Sequence, residues 1–113
     1  MVPQKNRLGS LFFKNLFKKG IIIDSQSFSL KYVKGQGEEF KISVVISKKV
    51  SLKATERNFL KRRFLSVLME QKNLLKQGFS YILYPKKGSN LVSRERLFQE
   101  INEKILVIYE QNH

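Results

Sequence analysis

Apolar side chains at positions 12, 13, 16 and 17 form an i, i+1, i+4, i+5 stripe. That spacing predicts a short helix over residues 10–19, with Ser10 placed to cap its start and Gly20 to end it. Ile21-Ile22-Ile23 then opens β-type sequence. Over 27–34, Phe28, Leu30 and Tyr32 alternate with polar residues, and over 40–46 Phe40, Ile42, Val44 and Ile46 do the same. Both runs have the period of a half-buried strand, and Gly35 and Gly37 between them supply turn conformations, so the two are expected to pair as a hairpin. Beyond residue 52 the period lengthens. Leu60, Phe64, Val67 and Leu68 share one face of a long helix expected over 54–76 and closed by Gly78. A strand over 79–84 stops at Pro85. A final helix over 94–109 has Ser93 as its candidate cap and buries Leu97, Phe98, Ile101, Ile105 and Ile108. The order αβββαβα, preceded by a polar arm over residues 1–7, describes one α+β domain spanning 1–113, with helices on a mostly antiparallel sheet.

Charge changes this picture from a generic small domain to one with a partner. The 113 residues carry 22 Lys and Arg against 9 Asp and Glu, a net charge of +13. Residues 1–63 hold 15 basic and 4 acidic side chains, so nearly all of the excess lies there. It peaks where the second alternating run gives way to the long helix: Lys48, Lys49, Lys53, Arg57, Lys61, Arg62 and Arg63 share that stretch with a single acid, Glu56. Like charges four apart on a helix repel by a few tenths of a kcal/mol per pair. An uncompensated cluster therefore points to an anionic partner. A polyanion gains from releasing its condensed counterions when its phosphates are neutralised, so nucleic acid is favoured. The basic, amphipathic stretch over 11–19 suits a membrane surface less well. It is too interrupted by lysine for a signal-peptide core, and no apolar run approaches the roughly 20 residues that span a bilayer. A cytoplasmic protein is expected.

Several chemistries drop out. There is no cysteine, hence no disulfide, thiolate nucleophile or cysteine-based zinc site, and the one histidine is His113. Asp24 is the sole aspartate. No catalytic and no metal-ligating residue is expected in the protein itself. On a helical wheel centred on Leu60, Arg57, Asn58, Lys61 and Arg62 sweep one flank and Arg63 lies on the other. Guanidinium groups add bidentate phosphate contacts. Asn58 is a poor helix former, which suits a hydrogen-bonding task. Phe13 and Phe17, four apart, either pack inward or offer a stacking surface to unpaired bases.

At this point the motifs match a family. Asn6-Arg7-Leu8, Phe13, Phe17-Lys18-Lys19-Gly20, Phe28, the run Val44-Val45-Ile46-Ser47-Lys48-Lys49-Val50, and Lys53-Ala54 followed by Arg57-Asn58-x-Leu60-Lys61-Arg62 together resemble the bacterial ribonuclease P protein subunit over nearly the full length. The resemblance implies an α/β sandwich like the second domain of a small-subunit ribosomal protein, with a left-handed βαβ crossover through the long helix. It implies that a catalytic RNA subunit, with magnesium, removes the 5′ leader of precursor tRNA. The protein would bind that RNA, one protein per RNA, without a cofactor of its own. Arg57, Asn58, Lys61 and Arg62 would contact the RNA, beside Lys48 and Lys49, with Lys53 and Arg63 completing the basic set. Phe13, Phe17, Lys31, Ser43 and Val45 would line a cleft for the single-stranded leader. The pattern departs at Phe59 and Leu65, where basic residues are common, and at Lys31, where an aromatic is. A structural RNA-binding protein of ribosomal type, with no role in turnover, is the alternative; a membrane-surface protein acting through 11–19 is a third.

Overall fold

Phe79-Ser80-Tyr81-Ile82-Leu83-Tyr84-Pro85 buries six of its seven residues, and that two-sided burial fixes its place inside the sheet. The computed structural model describes residues 2–8, 20–35 and 37–112. Within them run β1 (Ile21–Asp24), β2 (Phe28–Lys34), β3 (Lys41–Val44), α1 (Ala54–Met69), β4 (Phe79–Pro85) and α2 (Arg94–Gln111). The sheet order is β1-β2-β4-β3. β1 and β2 are antiparallel, β2 and β4 are antiparallel, and β3 runs parallel to β4. The expected hairpin between β2 and β3 is therefore wrong: β4 lies between them and is hydrogen-bonded to both. A strand buried on both faces sits inside the sheet, where its two edges are hydrogen-bonded to neighbours as well. The parallel β3–β4 pair is joined through α1, the crossover that parallel pairing requires. The helix expected over 10–19 lies outside the described residues, as do Phe13 and Phe17.

One face of the sheet carries the core. Phe28, Leu30 and Tyr32 of β2, Ile42 and Val44 of β3, and Phe79, Tyr81 and Leu83 of β4 pack against Leu60, Phe64, Val67 and Leu68 of α1 and Leu97, Ile101, Ile105 and Ile108 of α2. Phe28 and Phe64 meet edge to face, centroids 6.0 Å apart. Ser93 caps α2, its hydroxyl accepting from the Arg96 N–H at 3.2 Å.

α1 ends at Met69, seven residues short of its expected end, and a 3₁₀ turn follows over Lys72–Leu74. Gln71 explains the break. It is buried, and its amide donates to the Phe98 carbonyl at 3.3 Å and accepts from the Asn102 side chain at 2.9 Å. Its backbone, at φ −111° and ψ 23°, has left the helix. A buried amide tied to α2 outweighs the helix propensity of the residues that follow. Gly78 then turns the chain into β4 at φ +81°, its N–H donating to the Glu39 carbonyl at 3.3 Å and its own carbonyl accepting from the Gly35 N–H at 2.7 Å.

The arm over 2–7 is docked rather than free. Arg7 bridges Ile42 in parallel register, the Leu8 N–H donates to the Ile42 carbonyl at 3.3 Å, and the buried Asn6 amide donates to the Phe40 carbonyl at 2.8 Å. It covers the open edge of β3, which would otherwise present unpaired backbone groups.

Candidate RNA interface

The loop before α1 has no side-chain cap on the helix. Arg57 ties it down instead, one guanidinium nitrogen donating to the carbonyls of Ser51 at 2.8 Å and Leu52 at 2.9 Å. Carbonyls hold the group without neutralising it. Glu56, the one acid here, accepts from the Ser51 hydroxyl. Among the described residues the ion pairs are Lys5–Glu39, Lys86–Asp24, Arg94–Glu70 and Arg96–Glu100. None involves Lys48, Lys49, Lys53, Arg57, Lys61, Arg62 or Arg63. All seven are exposed or half-exposed, as is Asn58. Among the described residues the cluster stands open to solvent with no ion-pair partner.

α1 divides these residues differently from the helical-wheel expectation. Lys61 faces β3 and the docked arm, lining a cavity of about 320 Å³ together with Arg7, Leu8, Ser43 and Leu65. Arg62 does not share that flank. It lines a shallow depression of about 630 Å³ with Phe59, Arg63, Ser66 and Arg94 on the side of α1 toward the start of α2. The reason is rotation. Lys61 and Arg62 are about 100° apart, and the core stripe fixes Lys61 at the sheet edge, so Arg62 passes to the far side.

The cleft residues gather on the other face of the sheet. Lys31 and Ser43 flank Ile82 in one cross-strand row, and Val45 extends the strand by donating its N–H to the Leu83 carbonyl at 2.9 Å. Ser43 and Val45 are half-exposed. Lys31 is not exposed as expected: it is 6% accessible, and Gly20 comes so close that a Cβ there would fall 2.6 Å from the Lys31 Cγ and Cε. Packing of its aliphatic stem against a glycine backbone buries a residue that composition alone would place in water. Ile82, between Lys31 and Ser43, is fully buried.

Two residues have roles that the sequence did not assign. Arg7 joins Lys61 and Ser43 in one cavity only because the arm docks on β3, which no local periodicity signals. Glu100 accepts from the Ser25 hydroxyl at 2.9 Å and from the Ser27 N–H and hydroxyl at 3.0 and 2.7 Å, fastening the β1–β2 turn to α2. Burial pushes its carboxyl up, but those three bonds and Arg96 outweigh it and hold the group below the ordinary glutamate value. The Ser-x-Ser turn was the available signal. Among the described residues no group of three or more His, Cys, Asp or Glu is placed to hold a metal ion, and no helix is long and apolar enough to cross a membrane.

Comparison with known proteins agrees with this architecture. The Ribonuclease P family model matches residues 2–109. A ribonuclease P protein component from Thermotoga petrophila is 27% identical over 94 residues, 83% of this chain and 80% of its own. One from Streptococcus agalactiae is 29% identical over 76 residues, 67% of this chain and 68% of its own. Among solved structures, the RNase P protein from Thermotoga maritima superposes with a TM-score of 0.78 at 23% identity, covering 88% of this chain and 94% of that one. A Staphylococcus aureus RNase P protein mutant with defective mRNA degradation activity superposes with a TM-score of 0.79 at 19% identity, covering 95% and 90%. The fold is shared at 19–23% sequence identity.

Proposed function

The chain belongs to the ribonuclease P protein family, and from that membership we propose that it binds the catalytic RNA of ribonuclease P and the 5′ leader of precursor tRNA, assisting removal of the leader by the RNA. The observation that carries this reading is the open set of cations on α1 and the loop before it, without ion-pair partners among the described residues and continuous through Lys61 and Arg7 with the β3 edge that bears Ser43. Lys48, Lys49, Lys53, Arg57, Lys61, Arg62 and Arg63 supply phosphate contacts, and Asn58 a neutral hydrogen-bonding group among them. Ser43 and Val45, with Phe13 and Phe17 from the segment outside the described residues, form the leader cleft; Lys31 supports its floor. Magnesium acts with the RNA, where cleavage takes place, and the protein lowers the electrostatic cost of bringing two polyanions together. One protein serves one RNA, in the cytoplasm.

The test is 5′ maturation of precursor tRNA by the partner catalytic RNA at low magnesium. Addition of the protein should raise the cleavage rate, and the protein alone should cleave nothing. Tight binding without stimulation would sink the reading and leave a structural RNA-binding protein in its place.

A further inference from the structure

Phe59 is 58% exposed in the middle of a helix, and a lone exposed phenylalanine needs no explanation. Its surroundings do. Phe59, Arg62, Arg63 and Ser66 fall at i, i+3, i+4 and i+7 on α1, and Arg94 at the start of α2 closes the same depression of about 630 Å³. Arg94 pairs with Glu70 at 2.7 Å and also donates to the Ser66 hydroxyl at 2.9 Å. That pairing occupies the Glu70 carboxylate and holds the Arg94 side of the rim in place. Arg62 and Arg63 have no ion-pair partner among the described residues.

We infer that this depression is a subsite for an unpaired nucleotide of the RNA partner, its base stacked on Phe59 and its phosphate held by Arg62 and Arg63. The chemistry fits each part. An aromatic face accepts any base, and a planar guanidinium either grips phosphate through two bonds or stacks in turn. A base within a duplex has no free face to offer, so the ligand is a looped-out or single-stranded nucleotide. The subsite lies across α1 from the cavity of Lys61, Arg7 and Ser43, so α1 would contact RNA on two sides. The inference rests on the RNA-binding reading, and the experiment separates the two.

The chain has no tryptophan, so Phe59→Trp introduces a unique fluorescent reporter. Its emission should be quenched by the partner catalytic RNA and by a short single-stranded oligoadenylate, and much less by a duplex of the same length. Phe59→Ala should weaken binding to the catalytic RNA by about 5- to 150-fold, the range that loss of one stacked base produces. Unchanged emission on RNA binding, or equal quenching by the duplex, overturns the subsite. Undiminished affinity of Phe59→Ala overturns it too. If Lys61→Ala still weakens binding in that case, the RNA interface stands and only the stacking site is lost; if Lys61→Ala also binds undiminished, the interface itself is wrong and the subsite falls with it.

Discussion

Ser43 on β3 and Lys61 on α1 line one cavity, so the sheet face assigned to the leader and the helix assigned to the catalytic RNA meet at a shared wall. On the proposed reading, a cation there would face two polyanions at once. Lys61→Ala should reduce the slope of log affinity against log salt by about 0.7 to 0.9, one phosphate contact, for the catalytic RNA. Arg7→Ala, in the same cavity, should do the same. Salt titrations of binding for the two variants and the parent check this; parallel slopes for all three would remove both residues from the interface.

Gly78 turns the chain into the central strand at φ +81°, and a Cβ there would lie 2.9 Å from the Gly37 carbonyl oxygen. Both the conformation and the space exclude a side chain. Gly78→Ala should cost about 1–3 kcal/mol of stability, read as a lowered denaturation midpoint. RNA affinity at low temperature, where the variant remains folded, should be unchanged.

Glu100 links pH to stability. Its carboxyl is held below the ordinary glutamate value by Ser27, Ser25 and Arg96 against the opposing effect of burial. The folded state therefore favours the ionised form. The contribution is fully present above the unfolded-state value and is lost as pH falls through that value to the depressed folded one. Glu100→Gln should flatten the acid limb of the stability profile. At neutral pH it should cost about 2 kcal/mol, the scale of hydrogen bonds to a charged group, because the side chain is only 12% exposed. Urea denaturation across the acid range would show it, and a variant whose profile parallels the parent's would refute the assignment.

The periods of β2, β3, α1 and α2 were legible because each buries one face, and burial of one face writes a period into the sequence. Sheet order was not, since alternation says which side of a strand is buried and nothing about its neighbour. The hint lay in β4, where Ile82 is fully buried on the face away from α1 and α2, and a strand without a free face belongs at the centre. The basic cluster was legible as composition, but its partition was not. Whether Arg62 joins Lys61 or Phe59 depends on how far α1 is rotated against the sheet, which is set by Leu60, Phe64, Val67 and Leu68 together. The placement of Arg7 beside Lys61 was not legible for another reason: it follows from a backbone bridge to Ile42, 35 residues away.

Arg57 anchors the loop before α1 and is proposed to contact RNA phosphate, and two substitutions separate these roles. Its guanidinium holds the carbonyls of Ser51 and Leu52 and remains free of any acid among the described residues. Arg57→Lys keeps the charge but lacks the planar fork, so it should retain the salt slope while losing about 1 kcal/mol of stability through the loosened loop. Arg57→Ala should lose both. Comparing thermal midpoints with salt-dependent affinity for the pair distinguishes an anchor from a phosphate contact. If Arg57→Lys and Arg57→Ala have equal salt slopes, the charge does not reach the RNA and Arg57 is a structural residue of the loop.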